Sequence, residues 1–183
     1  EAHLVAAVVE PGAVDDILEC NLAVGLAQLQ AMAGRGIKVV LGGGDMADKN
    51  GPIYSPAMFA RFMLPRWKKV AACCRELGLH YVWRSDGNVW KVADMLCREA
   101  GIPGFGEVDF DASMTTAQVR ARYPDLVIWA NLSGDRLCRG TAEDAGKCAT
   151  GVLAEFTHDP GPNGRLRRSL RIHHVQAIGS LDH

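Results

Sequence analysis

The feature of this sequence that most limits its fold is a repeated succession of short apolar runs and helical patterns. Apolar runs fall at residues 37–41, 80–83, 105–108 and 126–130, and amphipathic helical patterns occupy 11–33, 55–77, 89–100, 115–123 and 141–156. Strands joined by crossover helices run parallel, and runs that are apolar throughout are typical of strands buried on both faces. The sequence therefore predicts an α/β fold with parallel strands and outer helices.

Polar residues stand at or just after the end of each predicted strand: Asp45, then Arg84 and Asp86, then Glu107 and Asp109, and last Asn131. The carboxyl ends of the strands in a (β/α) barrel converge on one face, which carries the active site. Four strand-and-helix units with polar residues at these ends favour a barrel-like arrangement whose mouth these residues line. The candidate catalytic residues are Asp86 and Asp45, and the candidate substrate-binding residues are Arg84, Asn88, Glu107, Asp109 and Asn131.

Each of these residues also has a purely structural interpretation. Arg84 can clamp a substrate carboxylate with two parallel N–H donors, or it can form an ion pair with Asp45, Asp86 or Glu107. Asp86 can take part in chemistry, or it can interact with the dipole of the helix that follows it. Glu107 and Asp109 can bind substrate or form salt bridges at the top of the barrel. The four tryptophans are expected to pack: Trp67, Trp83, Trp90 and Trp129.

Composition excludes several classes of function. The chain carries 20 basic and 21 acidic residues, and this balance predicts no nucleic-acid partner and no binding to an anionic membrane. Its apolar runs are all shorter than the roughly 18 residues that a membrane span needs. The six cysteines include no C-x-x-C pair, so free thiols are expected. No secretory leader is visible. We expect a cytoplasmic protein that binds no metal and no cofactor.

The last 27 residues differ from the rest of the chain. They hold four of the six histidines and four arginines, with no clear period. We therefore divide the chain into a half barrel at residues 1–156 and a divergent basic tail at 157–183. Two explanations of the tail stay open, a poorly ordered segment and a reading-frame slip near residues 155–164.

Three segments, taken in order, carry a resemblance to a known family. They are GGGDMADKNGPIYSPAMFARFMLP at 42–65, RSDGNVWKVADML at 84–96 and ANLSGDRLCRGTAEDA at 130–145. These segments resemble the uroporphyrinogen decarboxylase superfamily, with its SP turn and F-x-x-F-x-x-P helix, its H-x-DGN strand end and its GT-x-E-(E/D) turn. The resemblance covers residues 11–156. It implies a partial (β/α)8 TIM barrel of about four βα units, in which this chain holds about the second half of a barrel with its cleft at the carboxyl ends of the strands.

The family contains a cofactor-free decarboxylase of haem biosynthesis and a branch that moves methyl groups from corrinoid proteins. Met46 stands where the decarboxylase branch has a serine, and the N-x-GHG segment of that branch is missing here. Arg84 and Asp86 occupy the positions of the His-x-Cys zinc ligands in the methyltransferase branch. An arginine stays protonated and cannot ligate zinc. The resemblance thus points to a further subgroup of the superfamily.

The function that the resemblance implies is decarboxylation, or related one-carbon chemistry, on a carboxylated, tetrapyrrole-like small molecule. We expect this piece alone to be inactive. One alternative is a corrinoid-dependent methyltransferase of the same superfamily. Another is a catalytically inactive barrel fragment that associates through its open sheet edges, in which case a homodimer is expected.

Overall fold

A computed structural model of the chain describes residues 2–130 and 138–147. The predicted alternation of strands and helices is present in these residues. In chain order the elements are α1 (Ala2–Val9), α2 (Pro11–Gly34), β1 (Val39–Gly43), β2 (Ala47–Asp48), β3 (Gly51–Pro52), α3 (Pro56–Met58), a π-helical turn (Phe59–Met63), α4 (Leu64–Glu76), β4 (His80–Arg84), α5 (Trp90–Asp94), a second π-helical turn (Met95–Glu99), β5 (Gly104–Val108), a 3-10 turn (Phe110–Ala112), α6 (Thr116–Arg122) and β6 (Val127–Ala130).

Four of the strands form one parallel sheet in the order β1-β4-β5-β6, and β2 and β3 form a separate antiparallel hairpin. Each strand of the sheet therefore lies beside the strand that precedes it in the main alternation, and a helix connects each pair. The prediction of an α/β fold with parallel strands flanked by helices is confirmed. The small hairpin lies between the predicted strand at 37–41 and the predicted helix at 55–77, where the sequence pattern predicts neither a strand nor a helix.

Helices cover one face of the sheet, and aromatic rings fill the space between the two layers. Trp83 is 1% exposed, and its ring centroid lies 6.2 Å from that of Trp67 in α4 and 5.5 Å from that of Phe105 in β5. Trp67 also contacts Tyr81, with 6.2 Å between the ring centroids. Burial of these large apolar surfaces is the main term that holds α4 on the sheet.

The opposite face of the sheet is open to solvent in the part of the chain that the structure describes. Leu41 and Val127 are each 47% exposed, and Trp129 is 40% exposed. The expectation that Trp129 packs is therefore wrong within this part of the chain, because no described element lies over its side of the sheet. Parallel sheets are normally covered on both faces, so this surface is unusual.

The long helical stretch after the hairpin begins and ends where the sequence predicts. The hydroxyl of Ser55 accepts a hydrogen bond from the backbone N–H of Met58 at 3.2 Å, and Gly78 follows the helix with φ at 65°. The stretch contains one π-helical turn, just before Pro65. Proline has no N–H for the regular ladder, so a local widening at this place has a physical cause.

Two of the sequence predictions fall partly outside the described residues. The predicted helix at 141–156 is seen as a helical segment at 142–147, where Thr141 and Asp144 form a capping box with N···O distances of 2.9 and 3.2 Å. Its remainder, the boundary at residue 156 and the basic tail at 157–183 lie outside the described residues. Within these residues, we find no helix with both the length and the apolarity to cross a membrane.

Candidate functional site

Three carboxylates from three different strands come together at the carboxyl edge of the sheet. Asp45 follows β1, Asp86 follows β4 and Glu107 lies in β5, yet one carboxylate oxygen of each lies within 4.8 Å of the others. The geometric prediction that these residues gather at a common mouth is confirmed. Their grouping results from the parallel arrangement, because all the strands of the sheet end at the same edge.

Glu107 reaches this position through an irregularity in its strand. The pairing of β5 with β6 shifts register between Gly106 and Val108, and Glu107 has φ at 59°. A positive φ is uncommon for a residue with a side chain, and bulges beside functional sites often redirect a side chain. Backbone strain at such a place is a reason to infer function from structure. The sequence alone gave no signal of this bulge.

We expect Glu107→Gly to be more stable than Glu107→Gln by about 1 kcal/mol, because glycine adopts a positive φ without steric cost. Both variants remove the negative charge and the ion pair, so the glutamine variant is the matched control. Urea unfolding of the two variants measures the difference in free energy of unfolding. Equal stability would show that the backbone at this position is not strained.

Arg84 pairs with Glu107 across the mouth. Its Nη1 donates to Oε1 of Glu107, so the ion pair that the sequence left open is formed with this partner. The other carboxylate oxygen of Glu107, Oε2, is buried and has no hydrogen-bond partner among the described residues. A guanidinium carries five N–H donors, and Arg84 is 46% exposed at its side chain. The group can therefore bind a second anion while it holds Glu107.

The charges of the cluster act on Asp86. Asp86 is exposed, yet partial desolvation of its carboxyl beside the sheet raises its pKa above the ordinary value, and the carboxylates of Glu107, Asp45 and Asp109 raise it further. The Arg84 guanidinium opposes this change. A carboxyl with a raised pKa holds a proton at a higher pH than usual, and this property suits a group that exchanges protons with a substrate.

Ser85, which the sequence analysis did not single out, connects the loop after β1 with the end of β4. The side chain of Ser85 is fully buried. Its Oγ accepts a hydrogen bond from the backbone N–H of Met46 at 2.9 Å and donates one to the carbonyl of Asp86 at 2.8 Å. The loop after β1 is thereby fixed to the end of β4, beside Gly87, where a Cβ would lie 2.6 Å from the carbonyl oxygen of Ala47. A serine between two charged residues at a strand end is the signal that could have identified it.

Two of the predicted substrate-binding residues make backbone contacts. Asp109 accepts N–H bonds through Oδ1 from Asp111 at 2.9 Å and Ala112 at 3.2 Å, and through Oδ2 from Gly87 at 3.2 Å. Asn88 donates to the carbonyl of Ala112 at 3.1 Å and accepts from the N–H of Trp90 at 3.2 Å. These contacts connect the loops after β4 and β5. The remaining predicted residue, Asn131, lies outside the described residues.

The spacing of the three carboxylates also sets what they could ligate. Oxygens within 4.8 Å of one another can reach one hard divalent cation such as Mg²⁺. They can equally stabilise a positively charged group of a substrate. The expectation that the protein holds no metal stays a prediction.

Fold and site together define a parallel α/β protein with an acidic cluster and one arginine at the carboxyl edge of its sheet. No family model, no curated protein and no solved structure matches the chain.

Proposed function

We propose that the chain is half of a (β/α)8 barrel of the uroporphyrinogen decarboxylase type. In the intact barrel, its mouth would act on a carboxylated, tetrapyrrole-like substrate by decarboxylation or related one-carbon chemistry. The observation that carries this proposal is the convergence of Asp45, Asp86 and Glu107 with Arg84 at the carboxyl edge of four consecutive parallel strands. Active sites of (β/α)8 barrels lie at this edge.

The charges of the mouth suit a reaction that passes through a cationic intermediate. Loss of carbon dioxide from a pyrrole acetate begins with protonation of a ring carbon, which makes the ring positive. The bond to the carboxylate then breaks, and its electron pair neutralises the ring and leaves an exocyclic methylene. A proton from solvent or an acid adds to that methylene carbon, and the ring carbon releases the proton it took up first, so that a methyl group replaces the acetate. Asp86 and Asp45 stabilise the positive ring, and Asp86, with its raised pKa, can exchange a proton with it.

Arg84 would bind a carboxylate of the substrate. We expect Arg84→Gln to weaken the binding of uroporphyrin, a stable polycarboxylated tetrapyrrole, by about 10- to 100-fold, because a charge-assisted hydrogen bond is lost. Quenching of tryptophan fluorescence by added uroporphyrin measures the affinity.

The matched control for this measurement is Arg75→Gln. Arg75 lies in the last turn of α4, just before the amino end of β4 and so at the opposite edge of the sheet. The Arg75→Gln variant removes the same positive charge, and we expect it to leave the affinity for uroporphyrin unchanged. Equal losses in the two variants would mean that uroporphyrin binds the chain by overall charge, and no binding at all would contradict the proposed substrate class.

The methyltransferase alternative has no specific support in the site. Arg84 stands at the position of a zinc-ligating histidine of that branch, and it is occupied by its ion pair with Glu107. Stoichiometric zinc in the purified protein would favour this alternative in spite of the arginine. The alternative of association through open sheet edges does have specific support, in the strands that end the sheet on either side.

A further inference from the structure

We propose that the open face of the sheet binds a second copy of this chain, so that two four-stranded sheets close one eight-stranded barrel. The open face is the side opposite the helices. It carries the exposed residues Leu41, Arg84, Val127 and Trp129, together with Val82, which is only 4% exposed. The inference rests on the half-barrel architecture proposed above and does not depend on the chemistry proposed for its mouth.

The edges of the sheet are complementary to each other. The two edge strands, β1 and β6, each have one side without a strand partner among the described residues, and both run in the same direction. A twofold rotation about an axis parallel to the strands would place β6 beside β1 of the second copy and β1 beside its β6. Both new pairs are parallel, as are all pairs in the sheet. Closure removes both edges at once, and unpaired edges are liable to aggregate.

The side chains of the open face alternate in size along one row of the sheet. Gly43, Arg84, Gly106 and Trp129 are register partners in this row across the four strands. A Cβ on Gly106 would lie 3.7 Å from the Cβ atoms of both Arg84 and Trp129, so these side chains share the open face. Large residues thus alternate with glycine, and the interior layers of (β/α)8 barrels are likewise filled from alternate strands.

The sheet face alone does not supply a full interface. Four strands of about five residues, spaced by about 4.8 Å and rising about 3.3 Å per residue, give a flat footprint of roughly 300 Å². A standard interface buries about 800 Å² per partner, so the two edges and the helices beside them must supply the rest of the contact. Eight strands also give a ring that side chains can fill.

Closure would place both acidic clusters at the same mouth. Each cluster now has the sheet on one side and solvent on the other, and the second copy would supply the missing wall. Exclusion of water strengthens the interactions between the carboxylates and a bound cationic group. The site is therefore incomplete in the single chain.

Sedimentation equilibrium of the full chain tests the proposal. We expect a dimer whose dissociation constant rises about 100-fold in Leu41→Asp and in Val127→Asp, because each places a carboxylate in the closed interior. The matched control is Val24→Asp in α2, where the valine is 58% exposed. It adds the same charge and is expected to leave the dimer intact. Circular dichroism checks that each variant folds.

If Leu41→Asp does not fold, Leu41→Ser replaces it, with an expected weakening of about 10-fold from lost apolar area. A chain that stays monomeric at every concentration tested overturns the proposal. A dimer that Val24→Asp breaks and the two sheet variants leave intact also overturns it, because the contact would then lie on the helices. Dimerisation without uroporphyrin binding would contradict the proposed substrate while it supports the closed barrel.

Discussion

Replacement of Trp83 by alanine is expected to lower the free energy of unfolding by about 3 to 5 kcal/mol. The side chain is 1% exposed and lies at the centre of the covered face, between Trp67 and Phe105. Its removal leaves a cavity that the surrounding rings fill only in part. Folded domains are stable by about 5 to 15 kcal/mol, so the loss is a large share of the total. The midpoint of urea unfolding measures it.

The matched control is Trp129→Ala, measured at a protein concentration at which the chain is monomeric. The same ring is removed, but Trp129 is 40% exposed on the open face, so we expect a smaller loss of about 1 to 2 kcal/mol. Trp83→Phe is a second control, for which we expect a much smaller loss than for Trp83→Ala. The buried indole N–H of Trp83 has no hydrogen-bond partner among the described residues, so its removal costs little free energy of unfolding. Equal losses in Trp83→Ala and Trp129→Ala would contradict the assignment of the two faces.

The parts of the fold that depend on neighbouring residues in the chain were predictable. Thr115 begins a helix because its hydroxyl accepts the N–H of Gln118 at 3.2 Å, and this capping chemistry is visible in the sequence. The gathering of Asp45, Asp86 and Glu107 was also predictable. It needs only the rule that parallel strands joined by helices end at one edge.

The parts that depend on pairing between distant segments could not be predicted. The first strand was expected at 37–41, but it runs through Gly43, where a Cβ would lie 2.3 Å from the carbonyl oxygen of Arg84. Glycine permits that approach, so it extends the strand where the pattern indicated a loop. The bulge at Glu107 arises from the pairing of β5 with β6, and the exposure of Trp129 arises from the absence of a described layer over the open face.

Replacement of Asp86 by asparagine is expected to reduce the proposed decarboxylation by about 100- to 10,000-fold, because the group that stabilises the cationic ring and exchanges its proton is lost. Release of carbon dioxide from uroporphyrinogen measures the rate at a protein concentration at which the closed dimer forms, because the single chain is expected to be inactive. Asp48→Asn is the control: Asp48 is a nearby carboxylate that accepts the N–H groups of Asn50 at 2.7 Å and Gly51 at 3.1 Å, and it lies outside the cluster. Equal losses in the two variants would contradict a specific role for Asp86.

The same substitution has a consequence for stability that needs no substrate. Burial, followed by Glu107, Asp45 and Asp109, raises the pKa of Asp86 in the folded chain, so the folded state binds the proton more tightly than the unfolded state. The stability that this proton contributes is complete below the ordinary pKa of 3.8 and is lost as the pH rises through the raised value. The Asp86→Asn variant has no carboxyl at this position, so its stability does not fall in this way as the pH rises. We therefore expect the variant to match the original chain in acid and to be the more stable of the two at neutral pH, as measured by urea midpoints across the pH range. A variant that is less stable at neutral pH would show that the ionised carboxylate stabilises the fold, and Asp86 would then belong to the framework of the mouth.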